Sequence, residues 1–495
     1  MKIHPPAFPA DIITFMSKKT YTALLIGAGN RGNEIYSTWS LHHPDQLKIV
    51  AVAEPIETRR QMIADRHSIP PTRQYTGWEE ALNYQQMADV AIICTQDQQH
   101  TAPAIKAMQC GYNVLLEKPM AHRLVDCVAL VQAAEKHDRL LQIAHVLRYT
   151  DFFQRVCETV ITGELGEVIT VSHRENVSAW HMAHSYVRGN WRNTEESSPM
   201  ILAKSCHDLD ILYWIFASPV KTLSSVGNLK HFRRQNAPEG APQRCLDGCR
   251  VAATCPFYAP TLYLDLEPIY HGLASAQDKT IRLAGKMMQH NPALARSAAK
   301  LYPKLHQITE YTGWPRSVIT DDPANPESVM EALRTGPYGR CVYHCDNDVV
   351  DHQIVLMELF NGISVSFTMH GHSFEEGRTI RIDGSKGTLL GKFGWDRSFI
   401  EIHTHRGASC QHIELPNNIE QGGHGGGDAT LIEHFIQALD GVQDPDLTDA
   451  RSSLESHLLA FAAEQARTTA TVVNMAAFSA EAEKMTSPNS ESDLF

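Results

Sequence analysis

The sequence lacks any apolar run approaching the roughly 18–20 residues of a membrane helix, so no spanning segment is expected. It also lacks net positive charge: the formal net charge is −12. That balance argues against a general nucleic-acid surface, which needs clustered Lys and Arg. Residues 1–20 carry Pro5, Pro6 and Pro9 but not the apolar core and cleavage site of a secretory signal. They read as a disordered tail, or as an over-long start with Met16 as the alternative. Eleven cysteines without such a signal point to reduced thiols in a cytoplasmic protein, not to a disulfide scaffold. No internal repeat is found.

What is present begins with length. A chain of 495 residues is too long for one core, so two or more domains are expected. The most informative stretch runs from Thr22 to Gly32: a short apolar strand, three spaced glycines, then the start of a helix. Gly27 permits a tight turn, Gly29 leaves room for a pyrophosphate, and Gly32 lets the helix pack closely on the strand. Alone, such a turn could serve any α/β protein. A second apolar strand from Leu47 ends at Glu54, whose carboxylate suits the ribose hydroxyls of an adenosine. The same carboxylate would repel a 2′-phosphate, which favours NAD over NADP, with Arg59 and Arg60 close enough to soften that preference.

From Tyr21 to Ala144, apolar strands at Ala23–Ile26, Ile49–Ala53, Val90–Cys94, Asn113–Leu116 and Leu140–Ala144 alternate with helical periodicities. This predicts a doubly wound parallel sheet over residues 21–148. After Tyr149 the pattern changes to β-rich segments at Val168–His173, Val220–Val226, Val350–Phe360, Ser364–His370, Thr379–Asp383 and Ile400–His403. A largely antiparallel second sheet is expected within residues 149–476, interrupted by a cysteine-containing insertion at about 230–340. Ala429–Leu439 and Ser452–Thr468 read as closing helices, and residues 477–495 as a disordered tail.

The glycine turn is followed by Asp89–Thr95, His100, Gly111–Pro119 with Glu117-Lys118-Pro119, Gly163–Val168, and His207-Asp-Leu-Asp210. Together these resemble the Gfo/Idh/MocA family of nicotinamide-dependent oxidoreductases, well over Tyr21–Trp214 and in pattern beyond. The resemblance implies an N-terminal Rossmann domain and a C-terminal α/β domain with an open, mostly antiparallel sheet that often mediates dimers or tetramers. It implies NAD contacts from Gly27, Gly29, Asn30, Arg31, Gly32, Glu54, Thr95, His100, Glu117 and Lys118.

Lys118 ends a parallel strand, where open α/β sheets place ligands. Its ammonium could bind a substrate hydroxyl, or simply pair with Glu117; the resemblance makes it catalytic. His207, Asp210, Ile211 and Trp214 share one helical face. Asp210 could orient the His207 imidazole for proton transfer, so both are candidate catalytic residues. Many relatives place an Asp four residues before this His; here that position is Ala203, with Lys204 beside it.

The polar–aromatic segment Trp180–Arg192 suits a sugar ring, with Tyr186, Arg188 and Trp191 as candidate contacts, or else it anchors loops or a subunit interface. Arg148, Lys204 and His424 of the Gly422–Asp428 loop complete the candidate substrate set. Asp428 reads as a helix cap. Cys245, Cys249 and Cys255 are close enough for a structural zinc, with Cys341, His344 or Cys345 as distant fourth ligands. No fourth ligand is evident, so buried free thiols and no metal are expected.

Two reactions stay open: a sugar or polyol dehydrogenase, and a glycosidase that oxidises a ring hydroxyl only transiently. A non-catalytic NAD-bound sensor is the third reading. A carbohydrate substrate and a homodimer or homotetramer are expected, with no membrane or nucleic-acid partner.

Overall fold

The computed structural model of the chain describes residues 19–300, 303–416 and 425–485. Six parallel strands form the first sheet: β1 (Tyr21–Ile26), β2 (Leu47–Ala53), β3 (Gln74–Tyr75), β4 (Val90–Ile93), β5 (Asn113–Leu116) and β6 (Leu141–Ile143). Their order is β3-β2-β1-β4-β5-β6, the Rossmann arrangement. These strands are buried on both faces, which is why they read as unbroken apolar runs rather than alternating ones. Register then aligns their ends. Ile26 pairs with both Ala53 and Ile93, and Ile93 with Leu116. Gly27, Glu54, Cys94 and Glu117 therefore leave the sheet along one edge, where the strand order reverses between β1 and β4.

The second sheet has nine strands: β7 (Val168–Ser178), β8 (Val220–Asn228), β9 (His352–Leu359), β10 (Ser364–Ser373), β11 (Gly377–Gly384), β12 (Gly387–Gly394), β13 (Ser398–Thr404), β14 (Cys410–Leu415) and β15 (Val473–Asn474). The order is β14-β13-β12-β11-β7-β10-β9-β8-β15. Only β7 and β10 pair in parallel; every other neighbour is antiparallel, as expected. One face packs on helices, and the other leaves apolar side chains in the open.

The chain finally returns to its beginning. Helix Ala450–Thr469 packs on helix Leu124–His137 of the first layer, and also on helix Cys206–Phe216 and β8. Thr448 O accepts from Ile143 N at 2.8 Å, extending the edge of the first sheet. The closing helices thus clamp the two sheets together.

One expectation at the C-terminus is corrected. The stretch read as disordered from residue 477 begins inside helix Met475–Ala482, capped by the Asn474 side chain and burying Met475 and Ala482. Its first turn is held by packing that local composition does not reveal. Residues 1–18 and 486–495, with the tails proposed there, lie outside the described residues.

Candidate active site

At the glycine turn, Gly27 has φ +91°, and a Cβ there would stand 2.7 Å from Cys94 O. A Cβ on Gly32 would meet Gly27 O at 2.2 Å, so the following helix can lie against the turn only without one. Gly29 differs: a Cβ would meet nothing within 4 Å. That open space faces a helix start, π-helical over Arg31–Ser37, whose first N–H groups suit a pyrophosphate. Glu54 is buried, with one oxygen accepting from Ala28 N (2.7 Å) and the other from Ile56 N (3.0 Å). A carboxylate has lone pairs to spare beyond these two bonds, so it can still accept from ribose hydroxyls. Arg60 donates to the carbonyls of Glu54 and Pro55, and Arg59 pairs with Asp321. Arg59 is thus neutralised away from Glu54, whereas Arg60 is held on the Glu54 backbone. These residues fit NAD.

Two candidate cofactor residues prove to be built into the scaffold. His100 is 1% exposed, and its two ring nitrogens lie 3.1 Å from Thr95 O and 2.7 Å from Pro119 O. It ties the loop after β4 to the turn after β5 instead of facing the crevice. Arg31 donates to Glu117 and to Asp428, both at 2.6 Å. Asp428 lies in the first turn of helix Gly427–Leu439, whose cap is Gly426, so its carboxylate joins the glycine turn to the returning chain. Asn30 is exposed.

Lys118 follows β5 and is joined to Pro119 by a cis peptide. Its ammonium does not pair with Glu117, whose carboxylate accepts from Arg31, from Tyr36 OH and from the Lys118 backbone N–H. Its ammonium instead donates to Ala203 O at 2.9 Å, across the cleft. The turn is gripped beyond Pro119 by His457, whose Nε2 accepts from Met120 N at 2.9 Å and whose Nδ1 donates to Ser453 O at 2.8 Å. Sequence reasoning missed His457, because its partner lies 337 residues away.

His207, in the first turn of helix Cys206–Phe216, is 4% exposed and packs edge-on to His145 at 5.6 Å between ring centroids. The expected partnership of Asp210 is corrected. Its two oxygens accept from Arg148 Nε and Nη2, both at 2.6 Å. Arg148, expected to face substrate, is 2% exposed and also donates to Ser452. In a buried setting a guanidinium finds its carboxylate first, since leaving either unpaired costs far more than any alternative contact gains.

The opposite wall is a buried ionic network. Lys204 stands 3.4 Å from both Glu175 and Glu376. Glu376 accepts from His181 Nδ1 at 2.8 Å and from Ser178. Behind them, Arg378 pairs with Glu175 and Asp208, and Asp208 with His173. Burial pushes Glu376 up, but His181 and Lys204 outweigh it and hold the carboxyl well below the usual range. Burial likewise lowers Lys204, and its two glutamates reverse the direction. Glu175, Glu376 and Arg378 carried no sequence signal: Glu175 and Arg378 are paired across β7 and β11, and Glu376 immediately precedes β11.

The aromatic segment divides in two. Tyr186 is buried near Glu175 and Asp97, and the Trp191 indole donates to Asp97, closing the wall against the loop after β4. His184 and Arg188 turn the other way. His184 bonds Tyr263 OH, and Arg188, fully buried, donates to Arg340 O and Phe257 O. Arg188 is thus an anchor of the insertion, correcting its expected role at the substrate. His424 lies outside the described residues.

Residues 21–145 match the oxidoreductase family's NAD-binding Rossmann fold, and residues 158–284 its C-terminal alpha/beta domain. The chain belongs to the Gfo/Idh/MocA family. Its first domain is an NAD-binding Rossmann domain. The putative oxidoreductase YteT of Bacillus subtilis is 21% identical over 72% of this chain and 74% of its own length. The 2,7-anhydro-N-acetylneuraminate hydratase of Escherichia coli is 25% identical over 42% of this chain and 53% of its own. Inositol 2-dehydrogenase of Salmonella typhimurium is 25% identical over 36% and 49%. The chain thus spans about half the length of the last two. An oxidoreductase from Agrobacterium radiobacter, crystallised with NAD+, L-tartaric acid and magnesium, shares the fold with a TM-score of 0.60 and 15% identity, over 93% of this chain and 99% of its own.

Proposed function

We propose that this protein transfers hydride between NAD and a hydroxyl-bearing carbon of a sugar, polyol or sugar derivative. One observation carries the reading: the Lys118 ammonium is held on Ala203 O, across the cleft and one turn before His207, and not on its neighbour Glu117. Bound NAD would supply the hydride acceptor, held by Gly27, Gly29, Gly32 and Glu54. Lys118 binds the substrate hydroxyl and favours its ionised form. His207 takes the proton, and Lys204 and Tyr186 contact the remaining hydroxyls. Trp191 and the buried network fix the wall on which the substrate rests. The division near residue 148, a cytoplasmic location fitting the unpaired thiols, and a homo-oligomer built on the second sheet belong to the same proposal.

A second reading is favoured by Ala203. With no carboxylate at that position, a relay for net alcohol oxidation is incomplete, and transient oxidation that ends in water addition or glycoside cleavage becomes competitive. The similarity to a hydratase points the same way. Purified protein with NAD is to be followed at the nicotinamide absorbance against free sugars, polyols and aryl glycosides. Net NADH formation on a free sugar or polyol is expected. Aglycone release without net NADH would overturn the dehydrogenase reading in favour of the second.

A further inference from the structure

The outermost strands of the second sheet gather ligand groups that neither cofactor nor substrate uses. β13 and β14 run antiparallel, with His403 opposite Cys410 and Glu401 opposite His412. Alternation along β13 buries Ile400 and Ile402 and turns Glu401 and His403 the other way. Register shows which way that is. Ile400 pairs with Gly391, Gly391 with Ile380, and Ile380 with His173, so Ile400 shares a face with the buried network behind the substrate wall. Glu401, His403, Cys410 and His412 therefore stand on the opposite, open face.

Three of these side chains converge. Cys410 Sγ lies 3.7 Å from His403 Nε2, which lies 3.3 Å from Glu401 Oε2. Among the described residues, these three form a set whose ligand atoms all lie within 4.8 Å of one another, and the insertion cysteines form no such set. The other oxygen of Glu401 stands 3.1 Å from His412 Nδ1, and His412 Nε2 stands 2.9 Å from Glu414. An outer contact of this kind orients a ligating carboxylate. Exposed polar contacts contribute little to stability by themselves, so folding is a poor reason for thiol, imidazole and carboxylate to meet here.

Donor type and spacing select the metal. Magnesium and calcium take oxygen ligands, whereas a thiolate and an imidazole suit zinc. Nitrogen, oxygen and sulfur donors on a tetrahedral zinc, about 2.0–2.3 Å from it, stand about 3.3–3.8 Å from one another. Neighbouring donors of a square-planar copper site, at similar bond lengths, stand only about 2.8–3.1 Å apart. The distances of 3.3 and 3.7 Å fit the tetrahedron and not the square.

We propose that Glu401, His403 and Cys410 bind one zinc ion, with water in the fourth position. Cys410 gives up its thiol proton to solvent on binding, and His403 ligates through Nε2 as the neutral imidazole. The two positive charges of the ion balance the thiolate and the carboxylate. The ion ties β14, an edge strand, to β13. Lying on the face away from Glu175, the site is separate from hydride transfer.

The full chain, stripped with a chelator and then freed of it, is to be titrated with zinc and, separately, with cobalt under reducing conditions. About one zinc per chain is expected, and cobalt should give the intense visible bands of a tetrahedral site with a sulfur-to-cobalt band in the near ultraviolet. Cys410→Ser and His403→Ala should each weaken zinc binding about tenfold or more, at least what the loss of an outer-shell partner costs. Cys410→Ser should also remove the sulfur band, and Cys255→Ala should change neither. A wild-type chain that binds no zinc, or whose cobalt form lacks the sulfur band, overturns the proposal without recourse to variants. So does undiminished binding in Cys410→Ser, a loss that Cys255→Ala causes and Cys410→Ser does not, or displacement of zinc by excess magnesium. Unchanged NAD affinity checks that each variant is folded.

Discussion

Arg148 and Asp210 close on each other through two hydrogen bonds of 2.6 Å, and neither side chain reaches solvent. The pair joins the segment Val146–Tyr149, just after the first sheet, to the helix that presents His207. Burial pushes the Asp210 carboxyl up, and Arg148 opposes it. The pair therefore positions His207 through the helix.

Removing either partner strands a buried charge. Asp210→Ala and Arg148→Ala should each cost about 3–5 kcal/mol in denaturant unfolding. The double variant Arg148→Met/Asp210→Leu should recover much of that loss, since an apolar pair can replace a buried ion pair. NAD affinity of the folded protein should stay unchanged. Single losses below about 1 kcal/mol, the range of exposed pairs, would contradict the arrangement.

Lys118 faces a different test. Lys118→Ala should lower kcat by about 100-fold or more, the usual loss when one donor to a developing oxyanion is removed. Lys118→Arg should not rescue it, because a planar guanidinium fork does not put its charge where the compact ammonium stood. Thermal stability should barely move, as the residue is half-buried and its bond is to a backbone carbonyl. Unchanged turnover in Lys118→Ala would remove it from the chemistry.

The first domain was legible because two-sided burial writes parallel strands as apolar runs and because the glycine turn sits between two such runs. The two-residue β3 is too short to leave a pattern. β12 was missed for another reason. It is rich in glycine, and Gly391 is required where a Cβ would stand 2.9 Å from the Phe152 ring. β14 is an edge strand with mostly exposed polar side chains. In the site, strand-end residues could be placed from sequence, whereas pairings could not. Asp210 is three residues from His207, but Arg148, 62 residues away, takes its oxygens. Glu376 meets Lys204 across 172 residues, a separation that no spacing rule covers.

The histidine that grips the turn after Lys118 makes stability depend on pH. Burial lowers His457 from about 6.5 to about 3, with His145 adding to the shift. Between those values the unfolded chain binds a proton that the folded chain does not, so stability rises with pH across this window. It should be complete above about pH 6.5 and fall as the pH drops from there toward 3. His457→Gln retains a donor and an acceptor but cannot titrate. Its unfolding free energy should lose less between pH 7 and pH 5 than the wild type's, and an identical pH slope would contradict this origin.

The open face of the second sheet carries apolar side chains side by side. Val226 is 66% exposed and pairs directly with Ile354, and Leu356 on the same strand is 54% exposed. This stripe is the surface on which the proposed homo-oligomer would pair. Val226→Asp or Leu356→Lys should shift the protein to a monomer in sedimentation while leaving its unfolding transition nearly intact. A wild type that already sediments as a monomer would refute the interface.

Glu54 sets the cofactor preference through charge. Its carboxylate, fixed by Ala28 N and Ile56 N, stands at the end of β2, where a ribose 2′-position is read in this fold. Arg59 is neutralised by Asp321, and Arg60 is held on the carbonyls of Glu54 and Pro55. Glu54→Gln removes the charge and keeps an acceptor. The ratio of NADP to NAD affinity should rise by about tenfold, about 1.4 kcal/mol, because the like-charge penalty disappears while ribose hydrogen bonding partly survives. Isothermal titration with both nucleotides measures it. An unchanged ratio would mean that the preference lies elsewhere in the crevice, and a fall in affinity for both would mean that Glu54 chiefly holds the turn.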